Sequence, residues 1–173
     1  GAEMIEANDQ AVLDQYLNGE MDRKIFEDTA GLWKNYKTDY KPLVEFAKTN
    51  QLKFVASNIP RKYASMVNKK GFQALEQLPD AEKAFIAPLP VAYDPDLPGY
   101  KNMLEMMKDM PHVTPNIAKA QAIKDATMAH FILEHWETGK TFLHYNGSYH
   151  SNNYEGIIWY IKQARPELKI VSI

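Results

Sequence analysis

The run of residues 141–150 constrains the fold of this 173-residue chain more than any other stretch. It begins with strand-forming residues around Phe142-Leu143 and passes into the turn formers Asn146-Gly147-Ser148. The residues that follow predict a helix, with Asn152 as N-cap and Glu155 completing a capping box. A strand, a glycine turn and a helix N-terminus in succession are typical of α/β proteins, which often carry functional groups at such strand exits.

The composition excludes several classes of protein. The net charge is -2 and the basic residues are spread along the chain, so nothing indicates a nucleic-acid partner. The chain has no cysteine, which excludes disulfides and thiolate metal sites. No apolar run approaches the roughly 18 residues of a membrane span, and no signal peptide is apparent.

Four apolar runs predict strands, at residues 1–5, 52–57, 140–145 and 168–173. Helices are predicted between them, including one that Asn8 or Asp9 caps and Asn18-Gly19 ends. Alternating strands and helices indicate right-handed βαβ units, so we expect an α/β fold with a parallel sheet flanked by helices. Because the first and last strands reach the chain ends, we also expect a fragment of a longer protein.

The middle of the chain has a different character. Residues 61–115 contain predicted helices and loops but no strand, and four prolines between residues 88 and 98 exclude regular structure there. We expect this segment to form a smaller helical subdomain, inserted into a sheet domain of residues 1–60 and 116–173. A helix is predicted over 100–110, near the end of this segment. A long helix is predicted over 117–136, just after it.

Polar side chains follow each of the first three predicted strands. The carboxyl ends of parallel strands share one edge of a sheet, so we expect these side chains to converge there, together with a carboxylate from a small-residue stripe of the long helix. Such a cluster can bind a divalent metal or polarise a water molecule. Its members are Glu3, Glu6, Asn58, Arg61, Asn146, His150 and, from the long helix, Asp125.

Simpler roles for the same residues stay open. Asn58 can cap the helix that follows it, the two glutamates can be solvated, and Arg61 can pair with one of them. Among the other histidines, His130 is predicted to be a core residue paired with Glu134, and His144 to be structural.

One face of the predicted helix 100–110 is rich in methionine. Tyr100, Met103, Met107 and Met110 recur at three- and four-residue spacing and therefore share a face. Methionine fills gaps in cores, and it also suits an adaptable wall against a flat apolar ligand such as a porphyrin. In the second case Tyr93, Tyr100, a methionine or His112 could ligate the iron.

Four segments carry a resemblance to a known family. They are Gly1–Glu6, Ala56–Arg61, Ala120–Ala129 and His144–His150, and they occur in the family's order over nearly the whole chain. In them the chain resembles the ChaN-like haem-binding, iron-regulated lipoproteins of the wider Tiki/TraB and erythromycin-esterase-like superfamily. The family's Gly-Glu-x-His at the first strand is missing here, which leaves any metal or catalytic site incomplete.

The resemblance implies haem binding at a homodimer interface and a role in bacterial iron acquisition. It also implies a place at the outer membrane or in the periplasm, with attachment through a lipid anchor outside this chain. The expected haem-binding residues are Tyr93, Tyr100, Met103, Met107 and His112. The superfamily includes metal-dependent hydrolases, so the alternative is a hydrolase whose metal is held by His150 and Glu3, with catalysis left open.

Overall fold

A short parallel sheet lies at the centre of the fold. The computed structural model describes residues 1–110 and 114–173. Strand β1 (Ala2–Glu6) pairs in parallel with β2 (Ala56–Asn58), with Ala2 opposite Ala56. On the other side of β1, Tyr145 forms a parallel bridge: its N–H donates to Gly1 O at 3.0 Å, and its O accepts from Glu3 N–H at 2.9 Å. The predicted parallel α/β fold is confirmed.

A glutamine side chain completes the outer edge of β2. The Gln10 amide donates from Nε2 to Phe54 O at 3.0 Å and accepts at Oε1 from Ala56 N–H at 2.7 Å. The side chain thus satisfies the backbone groups that a neighbouring strand would satisfy. Strand β2 is shorter than the strand predicted over 52–57, because its partner β1 begins at Ala2, opposite Ala56.

Two other predicted strands differ in the structure. The predicted strand 140–145 is reduced to the bridge at Tyr145, and the strand predicted over 168–173 is wrong, since no strand is assigned there. Lys162 donates from Nζ to Pro166 O and Leu168 O, so a side chain takes carbonyls that a ladder would need. Leu168 packs on the helices instead.

Helices cover both sides of the sheet, and they occur along the chain in the predicted order. The first half contains α1 (Gln10–Leu17), α2 (Arg23–Thr29), a π-helical turn (Tyr36–Tyr40) and α3 (Lys41–Thr49). The middle contains α4 (Arg61–Lys70), α5 (Asp80–Lys83) and α6 (Pro98–Met107). The last part contains α7 (Ile117–His135) and α8 (Ile157–Ala164).

The predicted capping box at Asn152 is wrong. Helix α8 begins only at Ile157. The residue before it, Gly156, has a φ of +56°, a backbone angle that favours glycine. A Cβ on Gly156 would lie 2.4 Å from His150 O, so the chain turns too sharply there for any larger residue. Glu155 instead reaches α6, where it accepts a hydrogen bond from Gly99 N–H at 2.6 Å.

Helix α7 is common to most of the core. One apolar cluster surrounds β1 and helices α1 to α3, while a second joins α4 and the segment after it to Ile123 of α7. A third joins α7 to α8, and a fourth places Tyr100 of α6 against Ala118 and Ala122. These small residues allow α6 to approach α7 closely, whereas the small-residue stripe predicts a close approach of α7 to the sheet. No helix in the described ranges is long and apolar enough to cross a membrane.

Candidate functional site: a buried carboxylate–imidazole cluster beside an exposed methionine face

Three of the predicted site residues meet beside β1, near its amino end rather than at the predicted carboxyl end of the strand. His150 Nδ1 lies 2.5 Å from Asp125 Oδ1, and His150 Nε2 lies 3.3 Å from Glu3 Oε1. All three side chains are buried, and Asp125 is completely so. Glu3 is the second residue of β1, Asp125 comes from α7, and His150 ends the turn after Gly147. The imidazole therefore bridges two carboxylates from different elements.

The surroundings hold His150 in its charged form. Burial alone lowers the pKa of His150, but hydrogen bonds to Asp125 and Glu3 outweigh it and raise the pKa to about 9. Burial raises the pKa of Glu3, but its contacts with His150 and the Gly147 N–H, which donates at 2.7 Å, give a net lowering. A histidinium between two carboxylates is the arrangement that satisfies this buried cluster.

Burial dominates at Asp125. It raises the pKa of the carboxyl, and hydrogen bonds from His150 and Tyr100 counter it only in part. The Tyr100 hydroxyl donates to Asp125 Oδ2 at 2.9 Å. Asp125 and His150 thus share one proton that the pair retains well above neutral pH.

Gln121 belongs to the cluster but was missed by the sequence reasoning. Its amide lies 3.0 Å from His150 Nδ1, and the side chain is buried. Because both ring nitrogens of a histidinium donate, the amide presents its oxygen to the charged ring. Gln121 stands one helical turn before Asp125 on α7, so i, i+4 spacing from the predicted carboxylate could have found it.

The other predicted strand-exit residues lie apart from the imidazole. Asn58 is buried and donates from Nδ2 to Glu3 O at 2.9 Å, so it ties β2 to β1 rather than capping α4, whose N-cap is Pro60. Burial raises the pKa of Glu6, and the nearby Arg61 backbone and charge counter it. Arg61 itself is exposed at the start of α4.

His144 occupies a separate network behind the cluster. Its Nε2 lies 2.7 Å from Ser57 Oγ, and its Nδ1 lies 3.0 Å from Asn146 Oδ1. Burial lowers the pKa of His144 to about 4, so this ring is neutral at pH 7. Although the order Ser–His–Asn recurs in nucleophilic sites, Ser57 has no exposed surface. The network supports the structural role predicted for His144.

An exposed surface lies on the outer side of α6, next to this cluster. Gly99, Met103 and Met106 recur at four- and three-residue spacing and define what we call the methionine face. Residues 148–155, the tyrosine loop, run antiparallel beside it: Tyr149 Oη lies 3.9 Å from Met106 Sδ, and Glu155 meets Gly99 at the other end. Met106 and Tyr149 are 64% and 61% exposed, so two soft or aromatic groups stand together in solvent.

The predicted haem-binding residues divide between this surface and the interior. Met103 lies half-buried on the methionine face, and Met107 lies half-buried one residue beyond Met106. Tyr100 is buried with its hydroxyl on Asp125, and Tyr93 stacks on its ring with centroids 5.7 Å apart. His112 lies outside the described residues. Met110 falls beyond α6, which ends at Met107 rather than at the predicted residue 110.

The buried cluster does not fit a divalent metal. A metal-bound imidazole must offer a deprotonated nitrogen, whereas both ring nitrogens of His150 face carboxylates. Within residues 1–110 and 114–173, no three His, Asp or Glu side chains are arranged to hold a metal ion. We therefore derive no metal-dependent step from Glu3 and His150.

The fold and the cluster define a parallel α/β protein with a buried histidinium at the sheet edge. Residues 1–161 match the family model described as haem-binding uptake, Tiki superfamily, ChaN. The chain belongs to this family, as the four sequence segments predict. Searches of curated proteins and of solved structures gave no significant match.

Proposed function

We propose that this protein binds haem for uptake, and that the ring lies on the methionine face against the tyrosine loop. The description of the family is haem-binding uptake. The observation that carries the location is the exposed pair Met106 and Tyr149, whose side chains meet at 3.9 Å. Thioether and phenol are both groups that ligate haem iron in proteins, and methionine adapts to a flat apolar ligand.

The dimensions of the surface suit this ligand. From Gly99 to Met106 the helix rises about 10 Å, comparable with the width of a porphyrin ring. Met103 lies between these two residues on the same face, and Tyr154 is exposed on the loop opposite. Haem bound here would supply an apolar ring and an iron that a thioether or phenol could ligate. The chain's own contribution is a thioether wall and a phenol at one end.

This location differs from the buried alternative within the predicted set. The Tyr100 hydroxyl donates to Asp125 inside the protein, so iron ligation by Tyr100 would leave the buried Oδ2 of Asp125 without its donor. Met106 and Tyr149, which are exposed, carry no such cost. We therefore favour Tyr149 or Met106 as the iron ligand.

Hemin titration tests this proposal. We expect the wild-type protein to give a Soret band on adding hemin, and Met106→Ala with Tyr149→Phe to weaken binding about tenfold or more, since both remove groups that contact the ligand. Phe46→Ala is the matched control, because Phe46 is an equally exposed apolar side chain on α3, a different helix. Absence of a Soret change in the wild type would overturn the proposal.

We further propose that haem lies between two protomers. A ring on this open surface has one face against the methionine face and the other in water, and a second copy of the chain would cover the second face. We also propose a place at the bacterial outer membrane or in the periplasm, through a lipid anchor outside this chain, as the resemblance of the four sequence segments implies. Fractionation of cells expressing the full-length protein tests that location.

A further inference from the structure

We propose that Glu155 is a positioning residue for the haem surface, which it acts on by clamping the tyrosine loop to the N-terminus of α6. The inference rests on the proposed function and extends it to a residue that does not itself contact haem. Its basis is the contact between Glu155 and Gly99, together with the backbone geometry on both sides of it.

Gly99 has no side chain, which leaves room for the Glu155 carboxylate beside its backbone. The Glu155 carboxylate accepts from Gly99 N–H at 2.6 Å, and a Cβ on Gly99 would lie 2.7 Å from Glu155 Oε2. Leu97, the N-cap residue of α6, supplies no side-chain hydrogen bond, so a free N–H of the first turn takes its acceptor from a residue 56 positions away. A carboxylate there also interacts favourably with the helix dipole.

The loop before Glu155 is in a conformation that needs such a clamp. Asn153 and Tyr154 both have positive φ, at +56° and +60°, which is costly for residues other than glycine. Within the described side-chain contacts of residues 152–156, the Glu155–Gly99 bond is the one that reaches another element. The Glu155–Gly99 hydrogen bond therefore holds the strained backbone of Asn153 and Tyr154 in place where the loop meets α6.

The clamp acts on the haem surface through geometry. Glu155 joins the loop to the start of the methionine face, while Tyr149 meets Met106 near its end. His150 holds the far end of the loop through Asp125 and Glu3. Loss of the Glu155 carboxylate removes the hydrogen bond from the loop to α6, although α8 still holds the end of the loop, so the distance from Tyr149 and Tyr154 to the methionines is no longer fixed at the Gly99 end.

Variants at both ends of the contact test the inference by hemin titration and visible spectroscopy. We expect Glu155→Ala to weaken hemin binding about tenfold and shift the Soret maximum, while Glu155→Gln, which keeps an acceptor oxygen, stays within about threefold of wild type. Gly99→Ala breaks the same contact by displacing the carboxylate, so the double variant with Glu155→Ala should be no weaker than either single change.

The control and the possible outcomes separate the two proposals. Glu105→Ala removes an exposed carboxylate from the same helix, one that pairs with Lys108, and should leave binding unchanged. Wild-type affinity and spectrum in folded Glu155→Ala, or additive losses in the double variant, would overturn the clamp alone. Failure of the wild type to bind hemin would overturn the proposed function, and this inference with it.

Discussion

At the scale of single residues, His150 holds the sheet edge together as a buried cation. It bridges Asp125 and Glu3, which would otherwise be two buried carboxylates with no positive partner. The cost of breaking a buried ion pair by removing one partner is typically about 3–5 kcal/mol. We therefore expect His150→Gln to lower the free energy of unfolding by about 3 kcal/mol at pH 7, as measured by urea denaturation.

The same histidine gives the protein a defined pH dependence, measurable in the same variant. Because the folded pKa of His150 is raised from 6.5 to about 9, its stabilisation is complete below pH 6.5 and is lost as the pH rises through 9. The stability difference between wild type and His150→Gln should shrink by on the order of 3 kcal/mol over that range. Taking the difference removes the contribution of His144, whose pKa is lowered.

His130→Gln is the control for both measurements. His130 is half-buried, and its Nε2 lies 3.8 Å from Glu134 Oε2, which confirms the predicted pair but as a surface interaction. We expect it to cost less than about 1 kcal/mol. Equal losses at His130 and His150, or a pH-independent difference for His150→Gln, would contradict the role of the buried histidinium.

At the scale of elements, the join between the tyrosine loop and α8 depends on Gly156. Its φ of +56° and the 2.4 Å approach of a Cβ to His150 O both forbid a side chain. We expect Gly156→Ala to lower the free energy of unfolding by more than about 2 kcal/mol, since conformational strain and a backbone clash add.

Gly139→Ala separates these two contributions. Gly139 has a φ of +82°, but a Cβ on it would meet nothing within 4 Å, so this change carries the conformational cost alone, about 1 kcal/mol. Equal losses in the two variants, measured by urea denaturation, would mean that the approach to His150 O has no cost.

At the scale of the whole molecule, the proposed haem site is open on one side. We expect hemin to convert the protein from monomer to dimer in light scattering coupled to size exclusion, because a second methionine face would cover the exposed side of the ring. Tyr149→Phe combined with Met106→Ala should remove the hemin-dependent change. A Soret band without a change in mass would contradict haem-linked dimerisation and leave haem binding itself in place.

Much of the fold follows from local pattern. The order of helices and strands, the parallel sheet, the small-residue stripe of α7 and the irregular proline segment are predictable, since periodicity and turn residues act over short distances. The extent of the strands is harder to predict. Residues 168–173 have the composition of a strand, but strand formation requires a hydrogen-bonding partner. At β2 that partner is β1, and the amide of Gln10 takes the outer edge, which composition alone does not reveal.

The sequence by itself determined the family and named Glu3, Asp125 and His150 as candidate site residues, but Glu3 is the second residue of β1, so the expected sharing of one sheet edge by strand exits is not what brings them together. Tertiary structure alone decided how these residues are used: burial and two carboxylates turn His150 into a retained cation. It also decided that Glu155 reaches Gly99 instead of capping its own helix, and that Tyr149 stands beside Met106. These contacts join residues more than 40 positions apart, so their physical cause is three-dimensional proximity rather than local pattern.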